Sequence, residues 1–117
     1  MLRILIIDDH VVVREGLKRI IDDEPGMVVC GEAGDSVQAL RELQAGLVDV
    51  VVLDLDLPCR GGLDLLSRLK RDWPLLPVLV LGSHAEEAYG MPVLHAGADG
   101  YLMKDSGTGQ LVQVIEK

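Results

Sequence analysis

The chain has 117 residues, 49% of them apolar, and its 19 Asp and Glu against 11 Lys and Arg give a net charge of −8. That length builds one hydrophobic core and not two, and the composition is that of a globular domain without a disordered stretch. The charge leaves no clustered Lys and Arg to neutralise phosphates, which excludes direct nucleic-acid binding as the work of this segment. No apolar run approaches the roughly 20 residues of a membrane span, and the N-terminus lacks the order of a signal peptide. A cytoplasmic protein is therefore expected, with Cys30 and Cys59 as reduced thiols, since their spacing fits neither a metal site nor a disulfide framework.

Apolar runs at residues 2–7, 27–33, 48–53, 76–81 and 99–103 alternate with amphipathic stretches. The runs in "DVVVLD" and "PVLVLG" are rich in Val and Leu without polar alternation, which predicts strands covered on both faces of a parallel sheet. The stretches between them are then crossover helices. In the first, Val13, Leu17, Ile20 and Ile21 recur at i, i+4, i+7 and i+8, and Pro25 with Gly26 stops the helix. The second opens at "GDSVQAL", where Asp35 is placed to cap and Gln38 stands three residues on, at the capping-box position. The third carries Leu63, Leu66 and Leu69 on one face and ends near Trp73 and Pro74. Gly90 and Pro92 interrupt the fourth, and because proline costs about 3 kcal/mol inside a helix, this one is expected to be short or kinked. The fifth begins at "SGTGQL" and is still running at Lys117, so the chain reads as cut within that helix. No repeat or shift of composition marks a boundary, and residues 1–117 read as one α/β domain.

A doubly wound parallel sheet places its site outside the carboxyl ends of its strands. There the first strand delivers Asp8 and Asp9 in "ILIIDDH", and the third delivers Asp54 in "VVVLDLDLP". The fourth ends at Gly82 and Ser83, and Lys104 follows the fifth in "GYLMKD". Three carboxylates and one ammonium converge on one edge. Carboxylates gathered in this way repel unless a cation sits among them, and hard oxygen donors call for Mg²⁺ or Mn²⁺. Taken alone, Asp8 and Asp9 suit capping of the first helix equally well; Asp54 and Lys104 at other strand ends favour a site. His10, His84 and His95 share no ligand spacing, so no histidine metal site is expected.

In their order and spacing these residues resemble the receiver domains of two-component response regulators: the acidic pair Asp8 and Asp9, Asp54 followed by Pro58 and Gly62, and Lys104 three residues after Tyr101. "DDHVVVREGLKRII" and "AGADGYLMKD" are similar more narrowly to the NarL/FixJ-type regulators, whose receiver precedes a helix-turn-helix DNA-binding domain. The resemblance implies a flavodoxin-like (βα)5 fold with strand order 2-1-3-4-5. It also implies a phosphoacceptor that regulates transcription through a DNA-binding domain outside this chain. Asp54 is then the nucleophile that takes a phosphoryl group from a sensor histidine kinase, with Lys104 as charge partner. Mg²⁺ or Mn²⁺ is implied to be held directly by Asp9, Asp54 and the backbone carbonyl of Asp56, with Asp8 acting through water. Tyr101 is implied as a rotamer switch, and a homodimer as the phosphorylated state. The only implied reactions are self-phosphorylation from phosphodonors and slow self-dephosphorylation.

One position departs from the pattern. Receivers usually present Ser or Thr directly after the fourth strand, whereas "VLVLGSH" has Gly82 there and Ser83 one place later, so the hydroxyl that would bond a phosphoryl oxygen is missing or displaced. Two other readings compete. "VVVLDLDLP" also resembles the D-x-D motif of haloacid-dehalogenase-type phosphatases, with Asp54 as nucleophile and Asp56 as acid, but that motif normally sits on the first strand of a longer chain. Gly82 suggests a binding-only pseudo-receiver, which the presence of every acidic position and of Lys104 opposes.

Overall fold

The computed structural model describes residues 2–54, 61–82 and 99–103. Within them run β1 (Leu2–Ile7), α1 (Val11–Asp22), β2 (Met27–Ala33), α2 (Ser36–Ala45), β3 (Val50–Asp54), α3 (Gly61–Asp72), β4 (Val78–Gly82) and β5 (Gly100–Met103). The expected fourth and fifth helices lie outside the described residues. Every neighbouring strand pair is parallel, and the order across the sheet is β2-β1-β3-β4-β5, as the resemblance implied.

The period-two pleat sends successive side chains to opposite faces, and helices cover both. Ile4 and Ile6 of β1, Val50 and Val52 of β3, and Leu79 and Leu81 of β4 pack with Leu17, Ile20 and Ile21 of α1. Their neighbours Leu5, Ile7, Val51, Leu53, Val78 and Val80 pack on the other face with Ala39 and Leu43 of α2 and with Leu65, Leu66 and Leu69 of α3. Double coverage is why the central runs carry no polar alternation. Fully burying one such aliphatic side chain contributes about 1.5–3 kcal/mol. Leu63, expected on the buried face of α3, has a side chain outside the described residues.

β3 and β4 begin two residues later than their apolar runs, because Val48 and Leu76 cover the edge of the core from the preceding loops. An aspartate at the entrance to β3 and another at the entrance to β5 tie neighbouring strands together. The Asp49 carboxylate accepts from the backbone N–H of Arg3 at 2.8 Å and from its Nε at 3.2 Å, while the Asp49 N–H donates to the Arg3 carbonyl at 2.8 Å. These bonds hold the Asp49 carboxyl below the usual carboxylate range, the backbone bond from Arg3 being the main cause. Asp99 repeats the arrangement with Val78, accepting its N–H at 2.8 Å and donating to its carbonyl at 2.9 Å, and also accepts from Lys70 Nζ at 3.1 Å.

α2 opens as its sequence predicts, with the Asp35 carboxylate accepting the Gln38 N–H at 2.8 Å. The return bond differs by one residue: Gln38 Oε1 accepts from the N–H of Gly34, the position before the cap, at 2.8 Å. The edge strand holds a bulge, since Ile4 lies opposite Val29 but Leu5 lies opposite Gly31. Cys30 is the extra residue, a free and exposed thiol held above the ordinary cysteine range chiefly by desolvation, so it carries little thiolate at neutral pH. A Cβ at Gly31 would lie 2.9 Å from Glu42 Oε2 and 3.3 Å from Leu5 Cδ1, so a larger residue after the bulge would make the Glu42 side chain and Leu5 give way. Among the described residues no helix is long and apolar enough to cross a membrane.

Candidate functional site

From β1 the chain runs out to β2 and then crosses back to β3 on the far side of β1. Such a reversal opens a crevice beyond the carboxyl ends of the two strands it separates. Ile7 pairs with Leu53, so the next residues, Asp8 and Asp54, stand side by side at that crevice. Both are buried, each only 1% exposed. Asp9, with a side chain 29% exposed, and His10, at 60%, complete the group. One ligand atom from each of the four residues lies within 4.8 Å of all the others.

Local bonds aim these side chains. The Asp8 N–H donates to the Ala33 carbonyl at 2.9 Å, extending the β1–β2 ladder by one residue. The Asp8 Oδ1 atom accepts the His10 N–H at 2.8 Å, a turn that an aspartate readily makes two residues on. Arg14, one turn into α1, donates from Nη1 to the Asp8 carbonyl at 2.6 Å and from Nε to Glu32 at 3.3 Å. It thereby fastens the β1–α1 loop to the end of β2. A Cβ at Gly34 would come within 3.2 Å of Arg14 Nη1, so the glycine leaves room for the guanidinium. The N-cap of α1 is His10, which makes no side-chain capping bond, and the carboxylate of Asp8 is bonded to the N–H of that cap residue itself. Helix capping therefore does not account for the acidic pair.

The donor set is three carboxylates and one imidazole. Three carboxylates this close suit a divalent cation, and oxygen donors of this kind suit a hard one. A histidine stands beside them: His10 Nδ1 lies 3.1 Å from Asp9 Oδ1 and 3.3 Å from Asp8 Oδ1. Spacing among the three histidines gave no sign of this placement, because His10 meets its chain neighbours Asp8 and Asp9 and, from another strand, Asp54. The legible signal was three residues of ligating type in a row, Asp8, Asp9 and His10, at a strand end. Arg14 escaped notice because a lone arginine on an amphipathic helix reads as part of the solvated face.

Of the other expected site residues, Gly82 closes β4, buried and opposite Met103, one residue beyond the level at which Asp54 pairs with Leu81. Tyr101 lies in β5 opposite Val80, with its side chain outside the described residues. Asp56, Ser83, Lys104 and Cys59 lie outside them altogether.

Residues 4–116 match the family described as the response regulator receiver domain. The chain belongs to that family. This receiver domain is similar to the response regulator UvrY of Escherichia coli O6:H1, 36% identical over 115 residues that cover 98% of the chain and 53% of UvrY. It is similar to the nitrate/nitrite response regulator protein NarP of Escherichia coli K12, 34% identical over 113 residues covering 97% of the chain and 53% of NarP. A crystal structure of a LuxR-family two-component response regulator from Aurantimonas sp. SI85-9A1 matches with a TM-score of 0.91 at 38% identity, covering 97% of the receiver and 81% of that chain. These similarities agree with the NarL/FixJ type expected from "DDHVVVREGLKRII". The receiver spans about half the length of the curated relatives it matches. Membership places it among signalling domains of two-component systems rather than among haloacid-dehalogenase-type phosphatases.

Proposed function

We propose that this receiver accepts a phosphoryl group on Asp54 from the phosphohistidine of a sensor histidine kinase. The observation that carries the reading is the position of Asp54, a buried carboxylate at the end of β3, a central strand, grouped with Asp8 and Asp9 at the switch-point crevice. In the transfer an Asp54 carboxylate oxygen bonds to phosphorus as the phosphorus–nitrogen bond breaks. The leaving imidazole takes up a proton, and Asp54 becomes an acyl phosphate. A carboxylate nucleophile has no proton to lose, so positioning and charge neutralisation suffice without a general base.

The three carboxylates of the crevice fit Mg²⁺ or Mn²⁺; in this reading Asp9, Asp54 and the Asp56 carbonyl would hold the ion directly and Asp8 would act through water. Bound there, the ion supplies neutralisation of phosphoryl charge. Lys104 is the charge partner in this reading, and Gly82, Ser83 and Tyr101 are the positions where phosphorylation is read out. Residues 1–117 form one (βα)5 receiver of a cytoplasmic protein that dimerises when phosphorylated. A helix-turn-helix domain elsewhere in the protein regulates transcription; the receiver itself, at −8, offers DNA no basic stripe. Its chemistry is confined to self-phosphorylation from phosphodonors and slow self-dephosphorylation.

Mass spectrometry after treatment with Mg²⁺ and acetyl phosphate is the direct test. The wild-type chain should gain the mass of one phosphoryl group and Asp54→Asn should gain none. Undiminished labelling of Asp54→Asn would overturn the assignment, and sustained phosphate release from monoesters would point to a phosphatase.

A further inference from the structure

We propose that His10 is a metal ligand at the acidic crevice and that its nitrogen tunes the site toward late first-row transition dications such as Co²⁺, Ni²⁺ and Zn²⁺. This rests on the reading that the cluster holds a divalent cation. The geometry supports it from two sides. Ligand atoms about 2.0–2.2 Å from one ion lie at most about 4.4 Å apart across an octahedron. The four candidate ligand atoms lie within 4.8 Å of one another, so they are grouped on the scale of a single coordination sphere.

The backbone of His10 is fixed while its ring is not. Its N–H donates to Asp8 Oδ1 at 2.8 Å and its carbonyl accepts the Arg14 N–H at 3.0 Å, which anchors the Cα beside the carboxylates. The imidazole projects from that anchor 60% exposed, touching Asp8 and Asp9 at its Nδ1 edge. It can turn from those oxygens toward an ion without disturbing the core.

The chemistry then separates cations. Mg²⁺ is hard, keeps several of its waters and gains little from an imidazole, whereas Co²⁺, Ni²⁺ and Zn²⁺ bind imidazole well. A histidine that only hydrogen-bonds to the carboxylates and positions them would instead support all dications alike.

Calorimetry with Mg²⁺ and with Ni²⁺, on wild type, His10→Ala and His10→Asn, distinguishes the two. Asn keeps a good helix-cap residue at this position if Ala impairs folding. His10 ligation predicts that Ni²⁺ affinity falls by about 10-fold or more in both variants, while Mg²⁺ affinity changes by no more than about threefold. In the Co²⁺-loaded wild type, NMR should show a paramagnetically shifted imidazole proton that is absent from His10→Asn. Asp9→Ala should remove the same signal, which places the ion in this crevice and not on His84 or His95. Equal losses for both cations, or unchanged Ni²⁺ affinity, would overturn the proposal. Binding of Ni²⁺ through His10 without any Mg²⁺ binding would overturn the Mg²⁺ reading and leave the His10 ligand standing; no binding of either ion would overturn both.

Discussion

At the end of β1 three consecutive residues meet three environments: Asp8 is sealed beneath the loop, Asp9 is partly open, and His10 stands in solvent over both. The end of the ladder explains the first contrast: Asp8 is still bonded to Ala33 of β2 and lies beside Asp54, whereas Asp9 lies past the last strand bond. Gly82 is the residue on the same edge whose consequence is most open to measurement. A hydroxyl there would bond a phosphoryl oxygen only in the phosphorylated state, and a charge-assisted bond of that kind is worth about 1.5–3 kcal/mol. Phosphorylation shifts a two-state equilibrium only by its differential interaction with the two states. Gly82→Thr should therefore raise the active population induced by beryllofluoride by about tenfold or more, read by NMR of the Tyr101 environment and by dimerisation. If Gly82→Thr brings no gain and Ser83→Ala a clear loss, the switch hydroxyl belongs to Ser83.

Among the elements, the starts of α1 and α2 form a contrast. α2 has a side-chain cap, Asp35, which satisfies one of the N–H groups that every helix leaves open at its first turn. α1 has none, and it is held by packing of Leu17, Ile20 and Ile21 on the sheet and by Arg14. Asp35→Ala should destabilise the domain by about 1 kcal/mol, visible as a lower urea midpoint with unchanged slope. Asp35→Ser should restore most of it, because the serine oxygen can accept the same N–H. A loss in the serine variant as large as in the alanine variant would show that the carboxylate acts by its charge and not as a cap. The cap was legible in "GDSVQAL" because it joins residues three apart. The return bond to Gly34 was not, because either N–H lies within reach of Gln38 and the local backbone turn chooses between them.

Across the whole molecule, the edge opposite the crevice is held by Asp49 and Asp99, each bonding a neighbouring strand through its N–H and its carboxylate. Asp49 has a depressed carboxyl pKa in the folded chain, with the backbone bond from Arg3 as the main cause. The unfolded chain then binds this proton more readily than the folded one as pH falls. The Asp49 contribution is present above the ordinary carboxylate range and is lost as pH drops through the lower folded value. Urea midpoints at pH 7 and about pH 3 should converge more in Asp49→Asn than in wild type. An identical acid loss in both proteins would remove Asp49 from the explanation.

The sequence by itself determined the strands to within two residues, the ends of α1 and α3, the cap of α2, and the convergence of Asp8, Asp9 and Asp54. These depend on local periodicity, on turn chemistry and on the rule that parallel strands present their carboxyl ends together. Tertiary structure decided the rest. It placed the His10 ring among the acids, set Arg14 between Asp8 and Glu32, and put the bulge at Cys30. It also joined Arg3 to Asp49. Arg3 and Asp49 are 46 residues apart, and Arg14 and Glu32 are 18 apart. Whether such partners meet depends on strand register and helix placement, which packing of the whole core sets and no local pattern encodes.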